Sequence, residues 1–209
     1  MSRNRSIRTS WIVWTIAAAG LVVGACQASK DKAPPPMAAT AADHAPAKDE
    51  AASRKAFLAA YPVFMHARCM NCHPAGDAPL QGEDSRVHMQ NVKRGVDGRG
   101  VNAMRCANCH QVGNTPGANM PPGNPNWRLP PANMKMVFQG KSPSELATQL
   151  KDPAQNGGMS LERLLHHITE DSLVLGGWDP GEGRSKPPMS HDDFVRNVKA
   201  WIEQGAAIP

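Results

Sequence analysis

Residues 69–73 read Cys-Met-Asn-Cys-His after Arg68, and residues 106–110 read Cys-Ala-Asn-Cys-His after Arg105. Two thiols three positions apart, followed at once by an imidazole, suit attachment to a porphyrin. The thiols form thioethers with the vinyl groups on one edge of the ring, and the His bends back to bind its iron. The likeness runs beyond five residues. Arg-Cys-x-Asn-Cys-His-x-x-Gly-x-x-Pro fits 68–79 and, 37 positions on, 105–116. This duplication makes Cys69, Cys72, Cys106 and Cys109 the expected thioether residues, His73 and His110 the expected iron ligands, and two haem c groups the expected cofactors.

Two other chemistries use paired cysteines. A zinc site built from two Cys-x-x-Cys pairs spaces them by about 15–20 residues. Here 33 residues separate Cys72 from Cys106, and each pair carries its own His. A thioredoxin-like redox pair sits beside a βαβ pattern, which is missing here, and would not come twice.

The far side of each iron needs a Met or a neutral His, and a Met ligand raises the potential relative to a second His. Three residues qualify by position. Met189 follows Lys186-Pro187-Pro188 just before the last helical pattern, where class I cytochromes c keep their axial Met; His88 lies between the two motifs; Met120 lies in an extended loop after the second. His166, His167, His191 and His66 read as surface or helix-end residues. A ligating His also needs an acceptor for its other ring N–H. The carbonyls around Pro79 and Pro116 are the expected acceptors, alongside the ordinary turn-forming role of those prolines.

Helices must position these groups. Phe57, Tyr61, Phe64 and Met65 recur at helical spacing before Cys69, with Pro62 either kinking that helix or opening a second. Residues 76–131 are dense in Gly and Pro and predict loops. Ser142-Pro143-Ser144-Glu145 is a capping box that opens a helix carrying Leu146 and Leu150 and stopping at Asp152-Pro153. Leu161, Leu164, Leu165 and Ile168 mark another helix, and Phe194, Val198, Trp201 and Ile202 a last one, from Ser190 to Gly205. No stretch alternates like a strand. A self-contained haem domain needs about 80–100 residues, so two cannot be strung in tandem around the 33-residue spacing. The expected fold is all-α and class I cytochrome c-like, with short helices and long Gly/Pro-rich loops wrapped around two covalently attached haems. One frame holds the first haem, and an inserted loop carries the second.

The N-terminus sets the compartment. Arg3, Arg5 and Arg8 precede an apolar run from Trp11 to Ala25, shorter than the roughly 20 residues a membrane span needs. Val23-Gly24-Ala25-Cys26 resembles a lipoprotein cleavage site, which makes Cys26 the expected lipidation residue. Residues 1–25 are therefore read as a signal peptide, 26–50 as a disordered Ala/Pro-rich tether, and 51–209 as the dihaem domain. With Gln27 rather than Asp after the Cys, the lipobox pattern implies anchoring in the outer membrane, facing the periplasm. The net charge of +5 falls to +2 once the three arginines of residues 1–25 are set aside, and no basic stripe with interleaved aromatics argues for nucleic acid.

From Ala51 onward the chain resembles a family of exported dihaem cytochromes labelled isoquinoline 1-oxidoreductase subunit. The likeness rests on His88-Met-Gln-Asn-Val92, Arg94-Gly-Val-Asp-Gly-Arg-Gly100, Met120-Pro-Pro-Gly-Asn-Pro-Asn-Trp127 and Gln149-Leu-Lys-Asp-Pro-Ala-Gln-Asn-Gly158. The resemblance implies an anchored electron relay. Its donor would be a periplasmic dehydrogenase of the molybdenum hydroxylase type and its acceptor a component of the respiratory chain. The competing expectation is a catalytic, peroxidase-like dihaem protein with one open coordination position, although no distal acid/base group stands out.

Overall fold

The structure, a computed structural model, describes residues 48–209. The signal peptide, Cys26 and nearly all of the tether lie outside the described residues. The described chain is mostly helical with long loops.

Helix α1 spans Glu50–Phe64 and opens on Asp49, whose carboxylate accepts from the backbone N–H of Ala51 and Ala52 at 2.9 and 3.0 Å. The ordered frame thus starts slightly before residue 51, because Asp49 supplies a helix cap. Pro62 neither opens a second helix nor ends the first; it sits in the last turn of α1. A short helix α2, Ala67–Met70, follows. Two minimal antiparallel hairpins come next, β1 (Leu80–Gln81) with β2 (Arg86–Val87) and β3 (Gly100–Val101) with β4 (Met104–Arg105). Strands of two residues are too short to write an alternating pattern into the sequence.

Helix α3, Pro143–Lys151, has the capping box expected of Ser142 and Glu145. Helix α4 spans Leu161–Glu170, and a one-turn helix α5, Ser172–Leu175, continues into a 3₁₀ turn at Gly176–Trp178. Helix α6, His191–Glu203, is capped by Ser190 and ends before Gly205, whose φ of +107° reverses the chain.

The core forms where α1 and α6 pack together. Phe57 meets Trp201 with ring centroids 5.0 Å apart, and Phe64 meets Phe194 edge-on at 5.0 Å and Phe138 edge-on at 5.6 Å. Leu146 and Leu150 from α3 and Leu164 and Ile168 from α4 complete it. Each such side chain contributes about 1.5–3 kcal/mol through burial. Buried Ser53 ties the two long helices together: its hydroxyl donates to the Trp201 carbonyl at 2.8 Å and accepts from Ala207 N–H at 3.0 Å. Among the described residues no helix is long and apolar enough to cross a membrane.

Candidate functional site

The first motif is delivered by α1 and α2. His66 caps α2 by accepting from Arg68 N–H at 3.3 Å, and the helical turn runs on through Cys72 N–H to Cys69 O (3.2 Å) and His73 N–H to Met70 O (2.9 Å). Residues three apart on a helical turn share a face, so Cys69 and Cys72 are presented together. The His73 Nδ1 lies 2.7 Å from the Met136 carbonyl, and its ring stacks on Phe138 at 3.9 Å with an 8° tilt. Phe138 N–H also donates to His73 O at 2.9 Å, so the 136–138 segment grips the residue by ring and backbone.

The second motif hangs from the β3–β4 hairpin and a 3₁₀ turn at Cys106–Asn108. Gly100 makes the hairpin possible: its φ is +88°, and a Cβ there would sit 2.4 Å from Met104 O. Arg105 braces the hairpin through Gly100 O at 2.8 Å and the Asp97 carboxylate at 3.1 Å. The His110 Nδ1 lies 2.7 Å from the Pro122 carbonyl, and its ring stacks on Trp127 at 4.0 Å with a 6° tilt. The two histidines therefore share one arrangement, in which Nδ1 meets a carbonyl, one ring face is covered by an aromatic, and no described residue hydrogen-bonds to Nε2.

Both orienting carbonyls differ from those read from the repeat. Pro79 O accepts from His88 N–H at 3.0 Å instead, and the acceptors come from Met136 and Pro122, beyond the duplicated segment. Met136, Phe138, Pro122 and Trp127 were missed in the sequence. The chain has only ten aromatics, and Trp127 and Phe138 are two that fall outside every helical pattern, which was the available signal.

The four described cysteines are free thiols. Burial pushes the Cys69 thiol up to about 12, with the neighbouring Cys72 adding to it. Burial likewise raises Cys72 to about 11; Arg68 opposes the rise and Cys106 adds to it, so the two motifs lie within electrostatic reach of each other. Cys106 is buried and its thiol is raised by that burial, while Cys109 is exposed. Desolvation lowers His73 to about 4, against the pull of the Met136 carbonyl, and lowers His110 in the same way. Neutral imidazoles at His73 and His110 and protonated thiols at Cys69, Cys72 and Cys106 result. Among the described residues no cluster of three or more His, Cys, Asp or Glu side chains could hold a metal ion unaided.

The three candidates for the far side are placed differently. His88 is half-buried, with its ring centroid 6.4 Å from that of His110, an interplanar angle of 65°, and Nδ1 buried without a partner. Met189 packs on the same core cluster as Cys69; its carbonyl accepts from the Trp178 indole N–H at 2.9 Å, and its sulfur lies 3.7 Å from Asn197 Nδ2. Met120 is exposed, its carbonyl accepts from Arg184 at 2.6 Å, and it stands two residues from the carbonyl on the Nδ1 side of His110. The structure thus brings His88 to the second motif, packs Met189 on the core cluster that Cys69 also packs on, and leaves Met120 at the surface. Of the other histidines, His166 is exposed, His167 pairs with Asp171 at 3.3 Å, and His191 Nε2 lies 2.7 Å from Ile168 O.

One further group belongs to this region. Arg94 is 1% exposed and no described carboxylate pairs with it. It donates to the carbonyls of Pro130 (2.6 Å), Gly76 (3.0 Å) and Pro74 (3.4 Å), and its Nε is buried without a partner.

No family model, curated protein or solved structure matches this chain.

Proposed function

We propose that this protein is a class I cytochrome c-like dihaem electron carrier, exported, anchored to a membrane through Cys26, and facing the periplasm. The observation that carries the reading is the matched pair of histidines: each stands next to a Cys-x-x-Cys pair, is held by a carbonyl at Nδ1, and keeps Nε2 free. The residues present fit two haem c groups. Cys69 and Cys72 would hold one with His73, and Cys106 and Cys109 the other with His110. Cysteines free of any disulfide are what thioether formation at a vinyl edge requires, and an imidazole kept neutral by burial has its lone pair available for iron.

When bound, such groups supply reversible one-electron chemistry. The chain's part is orientation and exclusion of water. Met136 and Pro122 fix which ring nitrogen faces the metal, Phe138 and Trp127 prevent the imidazoles from rotating, and the α1–α6 core holds the first motif rigid. The donor in this reading is a reduced periplasmic dehydrogenase, of the molybdenum hydroxylase type by the resemblance noted above, and the acceptor is a respiratory component.

The test is production of the mature chain with cytochrome c maturation, followed by intact mass and magnetic circular dichroism. Two covalent haems, both low-spin, with no peroxide turnover are expected. A mass without haem would refute the cofactor assignment, and a high-spin haem that turns over peroxide would favour the peroxidase-like alternative.

A further inference from the structure

The duplicated motifs are held alike, but their surroundings are not. Next to His110 stands a second imidazole, His88, at 6.4 Å between ring centroids. Two imidazoles bound on opposite sides of one metal are separated by two bonds of about 2.0–2.1 Å plus about 1.1 Å from each nitrogen to its ring centre, roughly 6.3 Å in all. That gap also falls within the range of about 4.5–7 Å of an edge-on aromatic pair, here at 65°; what packing leaves unexplained is the buried His88 Nδ1, which has no partner among the described residues.

No imidazole ring pairs with His73 as His88 pairs with His110: His167 lies within electrostatic reach of it but is tied to Asp171 at 3.3 Å, and the His73 ring is covered by Phe138. The core cluster against which Cys69 packs also carries Met189, whose carbonyl and sulfur are held by Trp178 and Asn197. Beside the first motif lies the buried Arg94 guanidinium, bonded to the carbonyl of Pro74, the residue directly after His73. A thioether ligand raises a haem potential relative to an imidazole. A buried cation that forms no ion pair, with only the Asp77 carboxylate within electrostatic reach, disfavours the oxidised, more positive iron and acts in the same direction.

Building on the dihaem reading above, we propose that His88 is the second axial ligand at the 106–110 site. Met189 and Arg94 serve the 69–73 site, so the two sites differ in potential and the first is the higher. With both groups bound, the Met189 and Arg94 environment would favour the reduced state at the first site and His88 the oxidised state at the second. An electron supplied by the dehydrogenase is shared in that order, with no proton moved and no bond broken. The relay has a polarity: a reduced dehydrogenase delivers to the second motif, and the acceptor draws from the first.

The experiment is a spectroelectrochemical titration of the mature holoprotein, with near-infrared magnetic circular dichroism to tell thioether from imidazole ligation. Wild type should show two resolved one-electron steps, the upper with a His/Met signature and the lower with a His/His signature. His88→Ala should remove the His/His signature alone, and His88→Met should raise the lower step while keeping both haems. Arg94→Gln should lower the upper step and leave the lower in place. The proposal is overturned if the steps coincide, if His88→Ala spares the His/His signature or removes the His/Met one, or if Arg94→Gln moves only the lower step. Wild-type protein lacking covalent haem by mass would instead sink the dihaem reading, and this proposal with it.

Discussion

Replacing Ser53 by Ala isolates the joint between α1 and α6, on which the first motif depends. The Ser53 hydroxyl makes two buried bonds, to Trp201 O and from Ala207 N–H. Their loss is unequal. Trp201 O keeps a second donor, Ala206 N–H at 2.8 Å, so it loses one bond of about 0.5–1.5 kcal/mol. Ala207 N–H keeps none, and a buried orphan donor costs about 1–3 kcal/mol. The total is about 2–4 kcal/mol, slightly reduced by the better helix propensity of Ala. In a domain of this size that corresponds to a fall in Tm of roughly 5–15 °C. Urea denaturation of the holoprotein, followed by far-UV circular dichroism, measures it. Arg54→Ala is the control, because its pair with Glu50 is exposed and surface pairs contribute about 0–1 kcal/mol. A Ser53→Ala loss no larger than that of Arg54→Ala would refute the claim that this hydroxyl clasps the helices.

Gly123→Ala should damage the second site alone. Its Cβ would lie 1.9 Å from Gly113 O, so the backbone next to the Pro122 carbonyl must move, and the His110 spectrum should shift while that of His73 stays. Phe138→Ala should cost about 3–5 kcal/mol by chemical denaturation, as large-to-small core changes do, and, if the proposed haems are bound, broaden the signals of the one at His73, because the same ring packs on Phe64 and His73. Trp127→Ala, at a half-buried ring, should cost less stability and broaden only those of the one at His110. Glu145→Ala opens the α3 capping box and should cost about 1 kcal/mol in the same melts, with both haem spectra unchanged.

The helices were legible because their signals are local. Ser142 with Glu145, Ser190 before α6, and the apolar faces around Leu164 and Val198 each announce an element within one turn of sequence. The Cys-x-x-Cys-His motifs were legible for the same reason, since five consecutive positions carry the whole pattern. The orienting carbonyls were not. Every residue, proline included, carries a backbone carbonyl, so side-chain identity says nothing about which backbone turns toward an imidazole. Met136 lies 63 positions from His73, and only the folded path of residues 74–135 brings it there. Arg94 heads one of the stretches that carry the family resemblance, but its buried role was illegible for a related reason: its partners are three backbone oxygens.

That path gives Arg94 a second role. The chain leaves the first site at Pro74, builds the whole second motif, and comes back at Pro130 to supply Met136 and Phe138 to His73. Closing an excursion of about 55 residues costs roughly 3–4 kcal/mol in chain entropy. Arg94 bridges its two ends, binding Pro74 and Gly76 at the start and Pro130 at the finish. Charge-assisted bonds of about 1.5–3 kcal/mol each are of the size to offset that closure. The sites should therefore fail differently. Pro122 and Trp127 reach His110 from within the excursion, so the second site assembles locally, whereas the first needs the excursion closed. Hydrogen exchange on Arg94→Gln holoprotein should show Phe138 N–H, which donates to His73 O, losing protection, while Asn124 N–H, which donates to Gln111 O, keeps it. Equal loss at both amides would mean that the second site also depends on the Arg94 bridge, and the insertion would not be an independent unit.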